Sequence, residues 1–342
     1  MNKKLLLIGP RFTKKDPTIT GGTMILFERL LDDLDKLGVE YEAIDTNALN
    51  YKNFVHAWFS AMGEFLKKVK KCDHVSIHGT INHYLFLAPF VIFISKLLRK
   101  SVSLRKFAGN FNEVYEKGNF LIKKDIEYIL KKSDLNFFET KYLVNYFKKF
   151  NKNTYWFPNV RERKIEPDLN RKFKKRFVFM SQVREEKGVR ELLEASNMME
   201  DGYTLDVYGF FYNNEFNEDS FKNYKAEYKG ALLSHEVLDV LKTYDVLILP
   251  SYREGYPGIV IEAFSLGIPV IVTKLPSLTE IVEDRKNGIL INVKSAREIY
   301  EAMKLFNEDN YGRFVREAYK AFEPFDSMKR TKKFLELIDG HR

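Results

Sequence analysis

Apolar positions along the chain follow two rhythms. Short apolar runs at residues 4–8, 39–44, 75–77, 102–106, 135–138 and 155–157 are bounded by polar, Gly or Pro residues and read as strands. Between them lie stretches with helical spacing. Met24, Leu26, Phe27, Leu30, Leu31, Leu34 and Leu37 form one such face, closed by Gly38. Further helices are predicted over Asn53–Lys71, over Tyr84–Leu98 and in the stretch ending at Lys132. The second half repeats the alternation. Strands are expected at 177–180, 205–208, 246–249 and 269–272. Helices are expected up to about Met199, over Ser234–Tyr244 with Ser234 as cap, and over Gly258–Leu266 before Gly267. Strand and helix taking turns describes open α/β sheets, whose ligands bind at the carboxyl edge of the strands.

The densest chemistry sits in Pro250–Ile271, PSYREGYPGIVIEAFSLGIPVI, which reads as strand, turn, helix, strand. Glu254 in the turn and Glu262 in the helix stand eight residues apart. A helix N-terminus carries unpaired N–H groups and a positive dipole end, so it can hold phosphate oxygens. Gly255 and Gly258 would let a ligand approach the backbone. A carboxylate on each side of a diphosphate suits a ligand with hydroxyls at both ends, such as a nucleotide-sugar. The bland alternative is a buried crossover with two incidental acids.

Other candidates lie where strands hand over to loops. Arg184 and Lys187, in SQVREEKGV, are suited to neutralise a leaving diphosphate. His78 falls at a strand's carboxyl end, with His83 an equal rival on chemistry alone. Gly21 and Gly22 mark the first strand-to-helix turn, without the G-x-G-x-x-G dinucleotide pattern. Asp33 and Asp35 sit inside a predicted helix, where residues two apart do not share a face, so they are not read as a metal site. Arg161–Lys175 has no hydrophobic period and reads as a linker.

Pro250, Ser251, Glu254, Gly255, Pro257, Glu262, Ala263, Gly267, Pro269 and Val270 resemble the E-x7-E signature of the family 4 retaining glycosyltransferases. The resemblance implies the GT-B fold: two facing Rossmann-like domains with an interdomain cleft. Residues 1–160 would bind acceptor and 161–324 the nucleotide-sugar, and a helix in 325–342 would cross back to the first domain. It implies transfer of a sugar to an acceptor hydroxyl with retention at the anomeric carbon, without a metal or other cofactor. Glu254 would orient sugar hydroxyls and Glu262 would bind the ribose. Lys187 with Arg184 would clamp the diphosphate, and His78 would contact the transferred sugar. Gly21, Gly22, Gly255, Tyr256, Pro257, Gly258 and Ile259 would line the donor site, and Lys229 and Gly230 would hold the base through backbone groups. Gly109, Asn110 and Asn112 resemble an acceptor-side loop. The family's G-R-x4-K pattern is broken: its Gly and Arg fall on Ser181 and Gln182, so Arg184 would have to replace the missing Arg.

Composition narrows the partners. A chain of 342 residues with 45% hydrophobic and 30% charged residues has the balance of a soluble globular protein. The single cysteine, Cys72, excludes an intrachain disulfide. The start, MNKKLLLIGP, is too short for a signal-peptide core, and Leu85–Ile94 is too short to span a bilayer. Residues 1–160 hold 26 Lys and Arg against 16 acids, whereas the remainder holds 30 against 31. That excess points to an anionic membrane surface, a lipid-linked diphosphate or nucleic acid, with solvated faces of amphipathic helices as the bland alternative. Nucleic acid is set aside because no recognition module is visible. The expectation is therefore a cytoplasmic enzyme, peripheral at the inner membrane face, using a UDP-sugar first and a GDP-sugar second. Its acceptor would be a saccharide or lipid-linked, in cell-envelope or capsular synthesis. An inactive nucleotide-sugar-binding subunit and a GT-B epimerase are the alternatives.

Overall fold

The computed structural model describes residues 4–13, 21–107 and 111–341. The chain divides into two compact units. Unit 1 is Met1–Val160 with Ser327–Arg342, and unit 2 is Arg161–Asp326.

Unit 1 runs β1 (Leu5–Gly9), α1 (Gly22–Lys36), β2 (Tyr41–Asp45), α2 (Phe54–Lys68), β3 (His74–Gly79), α3 (Ile81–Phe86), α4 (Ala88–Leu97), β4 (Ser101–Lys106), α5 (Phe111–Lys117), α6 (Phe120–Lys132), β5 (Leu135–Phe138), α7 (Lys141–Phe147) and β6 (Thr154–Trp156). Its strands form one parallel sheet in the order β2-β1-β3-β4-β5-β6. Alternate residues of β1 feed opposite faces. Leu6 and Ile8 join a core with Phe65, Val91, Ile92, Leu104 and Ile126. Leu5 and Leu7 join Phe27, Leu30, Phe137 and Phe334 on the other face. Both faces are covered, which is why these strands read as continuous apolar runs.

Unit 2 runs β7 (Arg176–Met180), α8 (Val189–Asn197), β8 (Thr204–Tyr208), β9 (Glu227–Tyr228), α9 (Val237–Leu241), β10 (Val246–Leu249), α10 (Gly258–Ser265), β11 (Val270–Thr273), β12 (Gly288–Ile291), α11 (Ala296–Lys304) and α12 (Glu308–Ala321). A short 3-10 turn, Glu323–Phe325, stays with this unit, where the Phe325 carbonyl accepts the Arg161 N–H at 2.9 Å. The chain then enters α13 (Ser327–Gly340), which packs on α1 in unit 1. The sheet order is β12-β11-β10-β7-β8-β9, again parallel.

Three elements differ from the sequence reading. The helix expected over Tyr84–Leu98 is broken at Leu87 into α3 and α4. Pro89 lacks an N–H and crowds the preceding turn, so it is tolerated only in the first turn of a new helix. The helix expected from Ser234 begins only at Val237. Glu236 accepts the Leu233 N–H at 2.7 Å, and the residues between form a turn, so Ser234 is not a cap. The third is the last helix, which starts at Ser327 rather than Phe325. There Ser327 Oγ and Thr331 Oγ1 donate to the buried Asp33 carboxylate at 3.3 and 2.9 Å. Burial pushes the Asp33 carboxyl above its ordinary value, while the two hydroxyls oppose the shift.

Candidate functional site

In unit 2, β7 has β8 on one side and β10 on the other. This is the point where strand order reverses, and the loops leaving β7 and β10 emerge side by side at the carboxyl edge. Gly188 lets them touch. Its φ is +73°, and a Cβ there would sit 2.2 Å from the Pro250 carbonyl oxygen. The Tyr252 N–H adds a bond to the Glu186 carbonyl at 2.9 Å. Lys187 Nζ consequently lies 2.5 Å from Glu254 Oε1, which also accepts Ser251 Oγ at 2.8 Å. Ser277 Oγ fixes the Glu254 backbone by donating to its carbonyl at 2.7 Å. Both protein bonds fall on Oε1, so Oε2 carries no hydrogen bond among the described residues and keeps its lone pairs for a ligand hydroxyl.

The second carboxylate belongs to α10. Pro257 precedes the helix with φ −67° and ψ 125°, leaving the first-turn N–H groups of Gly258 and Ile259 at the open end. Gly258 and Glu262 are four residues apart and stack on one face. Arg161 lies across that face. Its Nε is 2.6 Å from Glu262 Oε1, and a Cβ on Gly258 would sit 1.7 Å from its Nη2. A guanidinium at the positive end of a helix dipole is unfavourable unless an anion accompanies it. Glu262 supplies one negative charge, and a ligand phosphate would supply more. The sequence reading missed Arg161, assigning it to the linker. A glycine one turn before Glu262 signals room for a side chain from elsewhere, but not which one.

The remaining candidates are dispersed. Arg184 pairs with Glu186, and its guanidinium stacks 4.6 Å from the Tyr212 ring. Gln182 is exposed in the same loop. Lys229 pairs with Glu227 and lies 3.8 Å from Asp206. Its N–H is spent on the Val207 carbonyl at 2.9 Å, and the Gly230 carbonyl on the Gly209 N–H at 3.0 Å, so those two backbone groups are engaged in extending the sheet. Tyr256 is buried, with its hydroxyl on Glu280 and its ring 6.1 Å from Phe325; Gly255 and Ile259 are half-buried beside it.

In unit 1, Gly21 precedes α1 and Gly22 opens it. Gly21 has an ordinary φ of −118°, with the flexible end of Met24 3.1 Å from where its Cβ would sit, and a Cβ on Gly22 would meet nothing within 4 Å, so Gly21 is not held by backbone strain nor Gly22 by packing. Gly109 and Asn110 lie outside the described residues. His78 does not reach a surface. It is wholly buried, its Nε2 bonded to Ser76 Oγ at 2.8 Å and its ring packed 5.2 Å from Phe27 and 6.0 Å from Phe334. Burial holds its pKa well below the ordinary value, with the Arg105 charge adding to the effect. The ring is enclosed by these neighbours, whereas the sequence reading had it contact the transferred sugar. His83 instead caps α3, accepting the Thr80 N–H at 3.3 Å.

Residues 160–322, just under half of the chain, match the family model described as Glycosyl transferases group 1. The chain is 27% identical over 157 residues to N,N'-diacetylbacillosaminyl-diphospho-undecaprenol alpha-1,3-N-acetylgalactosaminyltransferase of Campylobacter jejuni, covering 45% of this chain and 41% of that protein. It is 30% identical over 137 residues to the putative teichuronic acid biosynthesis glycosyltransferase TuaC of Bacillus subtilis, covering 39% of this chain and 33% of that protein. The matched stretch thus spans well under half the length of each relative. Anabaena HepE, crystallised in complex with UDP, superposes with a TM-score of 0.70 at 14% identity, over 99% of this chain and 100% of that one. That likeness shows the fold, a two-domain α/β architecture of the GT-B type. Together the comparisons support the glycosyltransferase superfamily.

Proposed function

We propose that the chain is a retaining glycosyltransferase that moves a sugar from a nucleotide-sugar to an acceptor hydroxyl. The observation that carries this reading is the pair of cation-held carboxylates, Lys187–Glu254 in the loop before α10 and Arg161–Glu262 within that helix. We assign neither glutamate the role of hydrolytic acid or nucleophile. Each keeps one oxygen for a ligand hydroxyl, Glu254 for the sugar and Glu262 for the ribose.

The diphosphate would lie over Gly258, between the Lys187 ammonium and the Arg161 guanidinium. Arg161, rather than Arg184, then supplies the charge missing at Gln182. The bond from the anomeric carbon to the phosphate oxygen breaks, and the negative charge that develops is stabilised by those two cations and the first-turn N–H groups. The acceptor oxygen attaches to the anomeric carbon on the same face, and its proton passes to the departing phosphate oxygen. Two fixed cations and a helix end supply the charge that a metal would otherwise provide, so we assign no metal to the reaction.

UDP-sugar is our first choice of donor, since a protein of the same fold is seen with UDP; GDP-sugar is the second. The acceptor side is assigned to unit 1, with a saccharide or lipid-linked acceptor in cell-envelope synthesis; one relative is named for a diphospho-undecaprenol substrate and another for teichuronic acid biosynthesis. The test is a thermal-shift panel of UDP, GDP, ADP, CDP and TDP, with and without their sugars, on wild type and Glu262→Ala. One nucleotide should raise the melting temperature, and the shift should vanish in the variant. Turnover of that donor with candidate acceptors, read by the anomeric coupling in the product, should show retention. No shift with any nucleotide, or an inverted product, would overturn the reading.

A further inference from the structure

The aromatic residues of α2 divide between core and surface in the structure. Met62 and Phe65 are buried, whereas Phe59 is 65% exposed and shares a helical face with exposed Val55 and Leu66. Next to it, α4 presents Phe90, Phe93 and Leu97 at helical spacing, Phe93 being 62% exposed and Leu97 73%. Aromatic contacts join α2 to α3 and α4. Trp58 lies 5.0 Å from Phe59 and 5.7 Å from Phe90, and its indole N–H donates to the Phe86 carbonyl at 2.8 Å; Phe54 packs 6.1 Å from exposed Phe86. Exposed apolar side chains scattered singly need no explanation, but a contiguous aromatic face marks an interaction surface.

The charge around this face identifies its partner. Residues 51–100 hold eight Lys and Arg against two acids, Glu64 and Asp73. Lys67, Lys70, Lys71 and Arg99 are exposed at the C-terminal ends of α2 and α4, and Lys100 Nζ bridges the two by donating to the Lys70 carbonyl at 3.3 Å. Apolar rings on a helix face with lysines beside them fit a bilayer whose headgroups are anionic: the rings enter the acyl boundary while the ammonium groups stay among the phosphates. A second copy of the chain would instead bring an equally basic surface against this one. We infer that the α2–α4 face of unit 1 docks on an anionic lipid bilayer. The inference does not depend on the reaction assigned to unit 2.

Flotation of the full chain tests it, with vesicles of phosphatidylcholine alone and of phosphatidylcholine mixed with phosphatidylglycerol, at low and high salt. The wild type should float with the mixed vesicles, and less so at high salt. Phe59→Ser with Phe93→Ser should lower partitioning about tenfold or more, because two rings are withdrawn from the bilayer. The triple variant Lys67→Gln, Lys70→Gln, Lys71→Gln should bind less and lose most of the salt dependence. All these side chains are exposed, so melting temperatures should match wild type, and nucleotide stabilisation measured on the same samples keeps this outcome separate from that of the donor site. Three results would overturn the inference: a wild type that floats with neither vesicle, equal flotation on both vesicles with no effect of the lysine variant, or a dimer by light scattering that the double variant dissolves without any vesicle binding.

Discussion

Arg161 Nε lies 2.6 Å from Glu262 Oε1, and the same guanidinium occupies the space that a side chain at Gly258 would need. Gly258 has ordinary helical backbone, and the atom it would meet is the far end of a flexible side chain. Gly258→Ala should therefore fold normally and push Arg161 off the helix end. Nucleoside-diphosphate affinity should fall about tenfold or more, as should that of Arg161→Gln, since each removes a charge-assisted contact of about 1.5–3 kcal/mol. The double variant should be little worse than either single one, because both act through one guanidinium. Calorimetric titration of the four proteins checks this.

Lys187 and Glu254 form the companion pair. Lys187→Met removes a cation from the developing charge and should lower kcat by about a hundredfold to a thousandfold. Ser251→Ala, which leaves Lys187 on Glu254 Oε1, should cost far less. Steady-state rates with the donor identified by thermal shift separate the two.

Gly188 holds the loops after β7 and β10 together at a φ of +73°. Gly188→Ala combines a left-handed backbone with a clash against the Pro250 carbonyl, where backbone cannot give way cheaply. A loss of about 2 kcal/mol or more in the stability of unit 2 is expected, measured by urea denaturation.

His78 is buried neutral, so the folded chain resists a proton that the unfolded chain accepts below an ordinary value of 6.5. Its contribution is present above that value and is lost as pH falls below it, by up to about 1.4 kcal/mol per pH unit. His78→Gln should flatten the acid limb of the stability profile and leave nucleotide binding in unit 2 unchanged. Weakened donor binding in a fully folded His78→Gln would return this residue to the site.

Asp33 has the opposite sign. Its folded pKa lies above the ordinary 3.8, so stability falls as pH rises through the interval between the two values. Asp33→Asn keeps an acceptor for one of the two hydroxyls and offers its NH2 to the other, which can accept, without the buried charge. It should melt above wild type at neutral pH, with the advantage shrinking towards pH 4, as scanning calorimetry would show.

By itself the sequence determined what is local. Strand and helix periods are written in neighbouring residues, so Val246–Leu249 and the helix from Gly258 could be read directly, as could the eight-residue spacing that carries both carboxylates. Tertiary structure decided which groups meet. Lys187 reaches Glu254 because β10 pairs with β7, a sheet order that no local pattern encodes. Arg161 reaches Glu262 across 101 residues of chain, and nothing in its own neighbourhood sets it apart from the other basic residues of that stretch. Burial worked the same way: His78 and Phe59 both occupy positions that suit contact with a ligand or with the core, and only the packing of neighbouring elements closed over the first and left the second open.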